Sequence, residues 1–327
     1  MARNLYAGKL MSGGLSLNIL NNDELEQIHL ATLEVMQKTG VFVEDEEALE
    51  VFHGGGAAID KKTKVVHLPE YMVTDAVMSA PSKYMACGRI PESDVALESN
   101  RVGFTNFGEG IVMKDAKTGE LRKTYKSDAR DAARLIDALE NIDTYERAIL
   151  SHDVPAEVCA LHNAEASLTN TTKHHWLGPV NGYCTRKIVD MCAVIMGGLK
   201  KLKERPLITF NTCPVSPLKL VRDCCEIIME SAKAGVGVNV LSMGMAGATT
   251  PIHLAGTLVV HNTEVLSGLV LNQLVRKGAP FVYGSSTTAM DLRMATASVG
   301  TPECAVINGA VARLARYYGL PSFVAGG

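Results

Sequence analysis

Short apolar segments alternate with longer helical patterns from Val102 to the end of this 327-residue chain, and this alternation restricts the possible folds. Apolar strands that alternate with helices are typical of parallel pairing in a sheet that is buried on both faces. The segments lie at 102–107, 146–151, 174–178, 207–212, 236–242, 279–285 and 320–326. Seven such units favour a (β/α)8 barrel over an open sheet, and closing a barrel needs an eighth. We therefore predict an α/β fold, a TIM barrel that lacks its last unit.

Three helices of this region are predicted to begin at residues that commonly cap a helix. Ser127 precedes the helical pattern "DARDAARLIDALENI". Ser216 precedes Pro217, and Thr301 precedes Pro302, which places proline at its favoured first helical position. We predict helices that begin directly after the three capping residues.

The first 100 residues show a different pattern. A helix is predicted in "NNDELEQIHLATLEVMQKTG", capped by Asn22 or Asp23, and a second one in "DEEALEVFHGGG". A short strand followed by a third helix is predicted in "KVVHLPEYMVTDAVMSAPSKY". We therefore divide the chain into a mainly helical section at 1–100 and an incomplete barrel at 101–327.

Composition excludes several classes of protein. The net charge is −3 and no basic run occurs, which argues against a nucleic-acid partner or an anionic membrane surface. Residues 234–263 carry no formal charge, but polar residues and glycines interrupt them, so no membrane span is predicted. The eight cysteines show no CxxC spacing, which indicates reduced thiols, a cytoplasmic protein and no metal site.

Several long motifs of the chain carry a resemblance to a known family. They are "GATTPIHLAGTLVVHNTEVLSG", "APFVYGSSTTAMDLR", "GTPE" and "YYGLPSFVAGG" in the last third, with "TCPVSPL" and "TNFGEG" earlier. Together they resemble the trimethylamine methyltransferase superfamily over essentially the whole length. The resemblance implies transfer of a methyl group from trimethylamine to the Co(I) corrinoid of a small partner protein. It therefore implies a cognate corrinoid protein as partner, no cofactor bound directly by this chain, and we also expect a homo-oligomer.

In methanogen members of that superfamily, pyrrolysine follows a segment similar to "GLPSFVAGG". The resemblance therefore implies that pyrrolysine is expected immediately after Gly327 and that the catalytic residue is not in this chain. We expect a chain truncated at that codon and inactive alone. Two alternatives remain open: a relative without pyrrolysine that demethylates a quaternary amine such as glycine betaine, and a non-catalytic chain that binds the corrinoid protein.

Two substrate-binding candidates follow the first apolar segment. Phe107 offers an aromatic face and Glu109 a carboxylate, and both suit a trimethylammonium cation. The competing interpretation is that Glu109 is a solvated loop residue and Phe107 belongs to the core.

Further candidates follow the sixth apolar segment. Ser285, Ser286 and Thr287 have hydroxyl groups that can hydrogen-bond an imine nitrogen or its adduct, while Asp291 can supply a proton or balance charge. Glu303 is predicted in the first turn of a helix at the same end of the barrel. The competing interpretations are a capped turn for the hydroxyl groups and a helix-dipole interaction for Glu303.

His261 and Glu264 are three residues apart on a predicted helix. Residues at this spacing lie on one face of a helix. We therefore interpret them as a surface pair rather than as metal ligands.

Overall fold

The computed structural model describes residues 10–11, 19–98 and 101–326. Within them the α-helices are α1 Asn22–Glu34, α2 Glu46–Gly54, α3 Glu70–Ser79, α4 Lys126–Ala138, α5 Cys159–Leu168, α6 Gly182–Met196, α7 Leu199–Glu204, α8 Arg222–Ala234, α9 Leu254–Val275 and α10 Pro302–Tyr317. A π-helical turn at Val35–Thr39 continues α1, and 3-10 turns lie at Pro91–Ser93 and Ala156–Val158.

The strands of the same described residues are mostly short. They are β1 Leu10–Met11, β2 Val41–Val43, β3 Ala58–Asp60, β4 Val65–His67, β5 Tyr84–Ala86, β6 Val95–Leu97, β7 Arg101–Val102, β8 Val112–Lys114, β9 Leu121–Lys123, β10 Tyr145–Glu146, β11 His175–Leu177, β12 Ile208–Thr212, β13 Lys219–Leu220, β14 Gly237–Ser242, β15 Met245–Ala246, β16 Phe281–Ser285, β17 Thr288–Asp291, β18 Thr296–Ser298 and β19 Ser322–Val324.

The chain forms two compact units. Unit 1 contains Tyr84–Asn211 with Ala234–Gly237 and β1, and unit 2 contains residues 19–83, Thr212–Lys233 and residues 238–326. The predicted division near residue 100 stays a prediction, and so does closure into an eight-stranded barrel.

Unit 1 contains three parallel strands. Strand β11 pairs with β10 on one side and with β12 on the other, as Tyr145↔His175 and Trp176↔Thr209 show. The antiparallel hairpins β5–β6 and β8–β9 lie outside this parallel set. The parallel pairing predicted for the segments at 174–178 and 207–212 is confirmed, whereas only the first residue of 146–151, Glu146, belongs to a strand.

The segment at 102–107 does not form the predicted core strand. Only its first residue, Val102, belongs to a strand, and β7 pairs antiparallel with β1. Beyond it, the backbone pairing with β10 and the residues around it is reduced to two isolated parallel bridges, Thr105↔Thr144 and Gly110↔Ile149. The reason is local: the Asn106 amide donates to Glu146 O at 2.9 Å and accepts from Glu146 N at 3.0 Å, so a side chain replaces the backbone ladder.

Unit 2 also contains a set of three neighbouring parallel strands. Strand β16 pairs with β14 and with β19, as Val240↔Tyr283 and Gly284↔Phe323 show. A β-carbon at position 284 would meet the backbone of Val240 and Leu241, so only glycine allows these strands to approach so closely. The predicted segments at 236–242, 279–285 and 320–326 are confirmed as parallel strands.

The N-terminal helices belong to unit 2, and α1 has a buried apolar stripe, although its cap differs from the predicted one. The cap of α1 is Asn21, one residue before the predicted Asn22 or Asp23, because its side chain accepts from Glu24 N while the Glu24 carboxylate accepts from Asn21 N. The stripe is buried at Leu25, Ile28, Leu33 and Met36. A four-stranded sheet in the order β13-β2-β4-β3 accompanies these helices, and only β4 of it was predicted.

Two of the three predicted caps of the second region are wrong. Helix α4 begins at Lys126, because the Asp128 carboxylate accepts from Tyr125 N at 2.8 Å and thereby closes its first turn, so Ser127 lies inside the helix. Helix α8 begins at Arg222, because residues 216–218 form a turn and the following strand β13 pairs with β2. The Thr301 cap is confirmed, since its hydroxyl accepts from Cys304 N.

Helix α9 is the one described helix that is long and apolar enough to cross a membrane by length and composition. Of its most apolar stretch, 72% is buried inside the folded chain. Such burial is typical of a core helix of a large globular unit.

Candidate active site

A group of polar side chains lies at the carboxyl ends of the parallel strands of unit 1. This acid cluster consists of Asn106, Glu109, Glu146, Arg147 and Asn211. Glu146 ends β10, Arg147 follows it, and Asn211 is the penultimate residue of β12. The carboxyl ends of parallel strands are where α/β enzymes usually bind their ligands.

Arg147 holds the loop of Glu109 against the strand ends. Its Nη1 donates to the carbonyl of Gly178, directly after β11, at 2.6 Å, and its Nη2 pairs with the Glu109 carboxylate. The backbone N–H of Glu109 donates in return to Arg147 O at 2.7 Å. Arg147 is only 7% exposed, whereas the Glu109 side chain is 58% exposed, so this ion pair extends from the interior to solvent.

Glu146 is a carboxyl group with little support from the protein. Its Oε1 accepts from Asn211 Nδ2 at 3.1 Å, and no described residue bonds its other oxygen. Burial, with a smaller contribution from the Glu109 charge, raises the pKa of Glu146 to about 7 against the opposing effect of Arg147. A β-carbon on Gly108 would lie 2.8 Å from this carboxyl group, so a larger residue there would displace the Glu146 side chain.

The first pair of predicted candidates lies in this loop. Glu109 joins the acid cluster through its ion pair with Arg147, although its side chain is 58% exposed in a loop, as the competing interpretation expects. Phe107 is 82% exposed, so the competing interpretation of a core residue is wrong. Contact of either side chain with substrate stays a prediction.

A second polar group lies at the carboxyl ends of the parallel strands of unit 2. This hydroxyl cluster consists of Ser216, Ser242, His261, Glu264 and Thr287. The Glu264 carboxylate accepts from Ser242 Oγ at 2.6 Å, from Ser216 Oγ at 2.9 Å and from the backbone N–H of residue 218 at 3.0 Å. Burial raises the pKa of Glu264, and these three donors oppose the shift.

In the hydroxyl cluster, the donor and the acceptor of each hydrogen bond among His261, Thr287 and Ser242 can be assigned. Thr287 Oγ1 lies 2.8 Å from His261 Nδ1, 3.2 Å from Ser242 O and 3.4 Å from Ser242 Oγ. If Thr287 donates to Ser242, then Nδ1–H of His261 donates to Thr287, and each hydrogen has an acceptor. The opposite tautomer would bury an N–H at His261 Nε2, which has no partner in the described part of the chain, and such orphaned donors are rare. Burial lowers the pKa of His261 to about 3, so the ring is neutral.

Three predicted candidates meet at this cluster. Thr287 is a member; Ser285 is buried beside it and accepts from Thr287 N at 3.2 Å. Ser286 is partly exposed, and its backbone N–H donates to Ser242 O at 2.9 Å. The hydroxyl groups predicted to gather after β16 therefore do gather there.

The other two candidates are not joined to the cluster. The Asp291 carboxylate accepts from the backbone N–H groups of Arg293 and Met294, at 2.8 and 3.1 Å, and so closes the turn between β17 and β18. Glu303 is exposed in the first turn of α10. Their contact with substrate stays a prediction.

The interpretation of His261 and Glu264 as a surface pair is wrong. Both side chains are fully buried, because α9 has no polar face and is surrounded by protein. One signal in the sequence could have revealed this: Glu264 is the single formal charge in the 22 residues of α9. Glu146 was also missed, and the signal for it is similar. Glu146 and Arg147 are two charged residues at the start of the otherwise apolar segment 146–151.

Comparison with known families gives one match over nearly the whole chain. Residues 4–327 match the family described as trimethylamine methyltransferase (MTTB). The trimethylamine methyltransferase MttB of Desulfitobacterium hafniense is 50% identical over 99% of this chain and 65% of its own length, and that of Methanosarcina thermophila is 41% identical over 99% and 68%. The glycine betaine methyltransferase of Desulfitobacterium hafniense is 34% identical over 95% of this chain and 64% of its own length. The chain thus spans about two thirds of the length of these relatives.

Among solved structures, the Methanosarcina barkeri monomethylamine methyltransferase MtmB is similar in fold. Its TM-score is 0.55 at 14% identity, over 92% of this chain and 67% of that one. The structure of an MtmB complex with hydroxylamine matches equally well, with a TM-score of 0.55 at 13% identity, over 92% of this chain and 67% of that one. The predicted α/β class is therefore confirmed.

Proposed function

Because this chain belongs to the trimethylamine methyltransferase family, we propose that it moves a methyl group from trimethylamine to the Co(I) corrinoid of a partner protein. The observation that carries the proposal on the structural side is the acid cluster at the strand ends of unit 1. Trimethylamine is a cation at neutral pH, and a protonated nitrogen can leave as a neutral amine. A site for it needs negative charge beside an opening, which Glu109 and Glu146 supply.

We assign the residues of the acid cluster distinct roles. The Glu109 and Glu146 carboxylates attract the ammonium group, and Phe107 offers an exposed ring for a cation–π contact. Asn211 orients the Glu146 carboxyl group, and Arg147 fixes the Glu109 loop. Such positioning is the main contribution a protein can make to an in-line methyl transfer.

The hydroxyl cluster fixes the positions of a loop and of strand ends and is not assigned a role in attracting the ammonium charge. Glu264 ties the loop after β12 to Ser242 at the end of β14, and Thr287 continues the chain of hydrogen bonds. Ser286 is the partly exposed hydroxyl next to it and is our first candidate for contact with the reacting group. Asp291 and Glu303 remain secondary candidates.

We further propose that a pyrrolysine encoded after Gly327 activates the amine, and that the present chain alone does not transfer methyl groups. The coverage of 65% and 68% of the MttB relatives is consistent with a residue supplied by further sequence. The corrinoid supplies a strongly nucleophilic Co(I) as methyl acceptor, carried by the partner protein. A cytoplasmic location and a homo-oligomer belong to the same proposal.

The decisive experiment is a methyl-transfer assay with a matched pair of proteins. One is the 327-residue chain, and the other is extended by the coding sequence beyond the Gly327 codon, expressed with pyrrolysine decoding if that codon is amber. We expect trimethylamine-dependent methylation of the corrinoid protein by the extended protein alone. Transfer by the 327-residue chain would contradict the pyrrolysine assignment, and failure of both would contradict the proposed reaction.

Glycine betaine is the competing substrate, because one relative of 34% identity is a glycine betaine methyltransferase. The higher identities of 50% and 41% to trimethylamine methyltransferases favour trimethylamine. The same assay with both donors separates the two, and faster transfer from glycine betaine would move the assignment to the quaternary amine.

A further inference from the structure

The charges of the acid cluster do not balance when both carboxyl groups are ionised. Among the residues that the structure describes, Arg147 is the one cation bonded to the cluster, and its two terminal nitrogens are used by Glu109 and by the carbonyl of Gly178. Glu146 receives only the neutral amide of Asn211. With Glu146 protonated the cluster is neutral, and with Glu146 ionised it has one uncompensated negative charge.

We propose that Glu146 exchanges its proton for an alkylammonium cation, so that ligand binding at the acid cluster releases one proton. The inference rests on the proposed function, which brings a methylated ammonium ion to this cluster. It adds the identity of the carboxyl group that responds and the pH dependence of binding.

The geometry leaves part of the Glu146 carboxyl group available to such a cation. Its Oε1 is held by Asn211, while Oε2 has no hydrogen-bond partner among the residues described. Gly108 has no side chain to cover the carboxyl group, since a β-carbon there would lie 2.8 Å from it. Arg147 is only 7% exposed, and its terminal nitrogens are directed to Glu109 and Gly178, so it does not close the Glu146 carboxyl group by a hydrogen bond.

The charged groups that face Glu146 determine when the exchange occurs. Glu109 raises the pKa of Glu146 and Arg147 lowers it, and burial adds to the effect of Glu109 to give a pKa of about 7. The balanced step is simple: the O–H bond of Glu146 breaks, the proton goes to solvent, and the carboxylate pairs with the cation. Affinity is therefore expected to be about tenfold lower at pH 6 than at pH 8.

Tetramethylammonium chloride is the probe that isolates this exchange. Its charge is permanent, so any proton released on binding comes from the protein. Isothermal titration calorimetry of the 327-residue chain in buffers of different ionisation enthalpy counts these protons. We expect close to one proton per cation at pH 6 and few at pH 8, with binding about tenfold tighter at pH 8.

Three variants locate the effect. Glu146→Gln keeps the acceptor for Asn211 but cannot ionise, so its binding is expected to be weak, independent of pH and without proton release. Glu109→Gln removes a like charge and frees Arg147, so the pH at which protons are released is expected to fall. Glu204→Gln changes the same charge at an exposed end of α7 in unit 1 and is the matched control, with wild-type behaviour expected.

The outcomes separate the inference from the proposed function. Binding of equal strength at pH 6 and pH 8, or proton release that persists in Glu146→Gln, would overturn the exchange while leaving the ammonium site intact. Absence of tetramethylammonium and trimethylammonium binding at both pH values would instead remove the acid cluster as the substrate site. Loss of pH dependence in Glu146→Gln but not in Glu204→Gln would establish the exchange.

Discussion

The acid cluster and the hydroxyl cluster occupy equivalent places, since each lies at the carboxyl ends of three parallel strands in its own unit. Each contains one glutamate whose pKa is raised by burial, Glu146 in unit 1 and Glu264 in unit 2. The protein gives Glu264 three hydrogen-bond donors but gives Glu146 only one. A buried carboxylate whose hydrogen bonds are supplied by its own chain holds parts of the fold together. A carboxyl group with few such bonds is available to a ligand.

The two clusters also differ in their neighbouring charges. Glu109 lies close enough to Glu146 to raise its pKa, and Arg147 compensates for only one of the two carboxylates. Around Glu264 the described partners are hydroxyl groups and a backbone N–H, which orient without adding charge. Perturbed carboxyl groups with incomplete partners are typical of functional sites, whereas complete networks rigidify a core.

The largest effect is expected for Glu264→Ala. The substitution leaves two hydroxyl groups and one N–H without their acceptor in a fully buried place, so the free energy of unfolding should fall by about 3–5 kcal/mol. Urea unfolding of the 327-residue chain measures this. Glu146→Ala is the matched comparison, and an equal loss there would abolish the distinction between the two clusters.

Glu146→Gln is expected to increase the free energy of unfolding at high pH, opposite to the effect of Glu264→Ala. The pKa of Glu146 rises from 4.5 to about 7 on folding, so the wild type loses stability as pH increases through this window. The variant has no such dependence and should be more stable at pH 8 by roughly 2 kcal/mol, with little difference below the window. Urea unfolding at both pH values tests this; a variant less stable at pH 8 would contradict it.

A smaller effect is expected for Thr287→Val, which removes the link between His261 and Ser242. The free energy of unfolding should fall by about 1–3 kcal/mol, since Nδ1–H of His261 loses its acceptor. Nitrogen NMR of histidine-labelled protein reports the tautomer directly. We expect the Nδ1–H form in the wild type, and the Nε2–H form there would contradict the direction assigned to the hydrogen bonds.

The smallest effect is expected for Glu303→Gln. This residue lies exposed in the first turn of α10, outside both clusters, and its charge interacts mainly with the helix dipole. The free energy of unfolding should fall by less than about 1 kcal/mol, and by less at high salt. A loss of methyl transfer by the extended protein, without such a change in stability, would instead add Glu303 to the site.

Periodicity and capping patterns were enough to predict β4, β11, β12, β14, β16 and β19 and several helices. Apolar segments such as 236–242 and 279–285 became parallel strands because their side chains suit burial on both faces, and the Thr301 cap depends only on neighbouring residues. The errors arose where distant residues decide. Ser216 does not cap a helix because β2 and Glu264 hold its loop, and neither is near it in the sequence.

The candidate site could be predicted only in part, again because distant residues determine some of its properties. Hydroxyl groups that directly follow a strand can be found from sequence, and Ser285, Ser286 and Thr287 did come together. Glu146 and Glu264 gain their properties from burial and from residues far along the chain, which no local pattern contains. A charge inside an apolar segment is the signal to examine in related sequences.

Unit 2 is assembled from three separated stretches of chain, and this affects the protein while it is being synthesised. Helix α9 packs against early residues: Asn262 donates to Thr32 Oγ1 at 2.9 Å, and Leu274 covers Gly55. Roughly half of the chain must be made between α3 and α9, which takes on the order of 10–30 s at typical rates of translation. During that time the apolar faces of α1 and α3 lack their partner helix on the ribosome. Newly made chains should therefore depend on chaperones that shield apolar segments until α9 emerges.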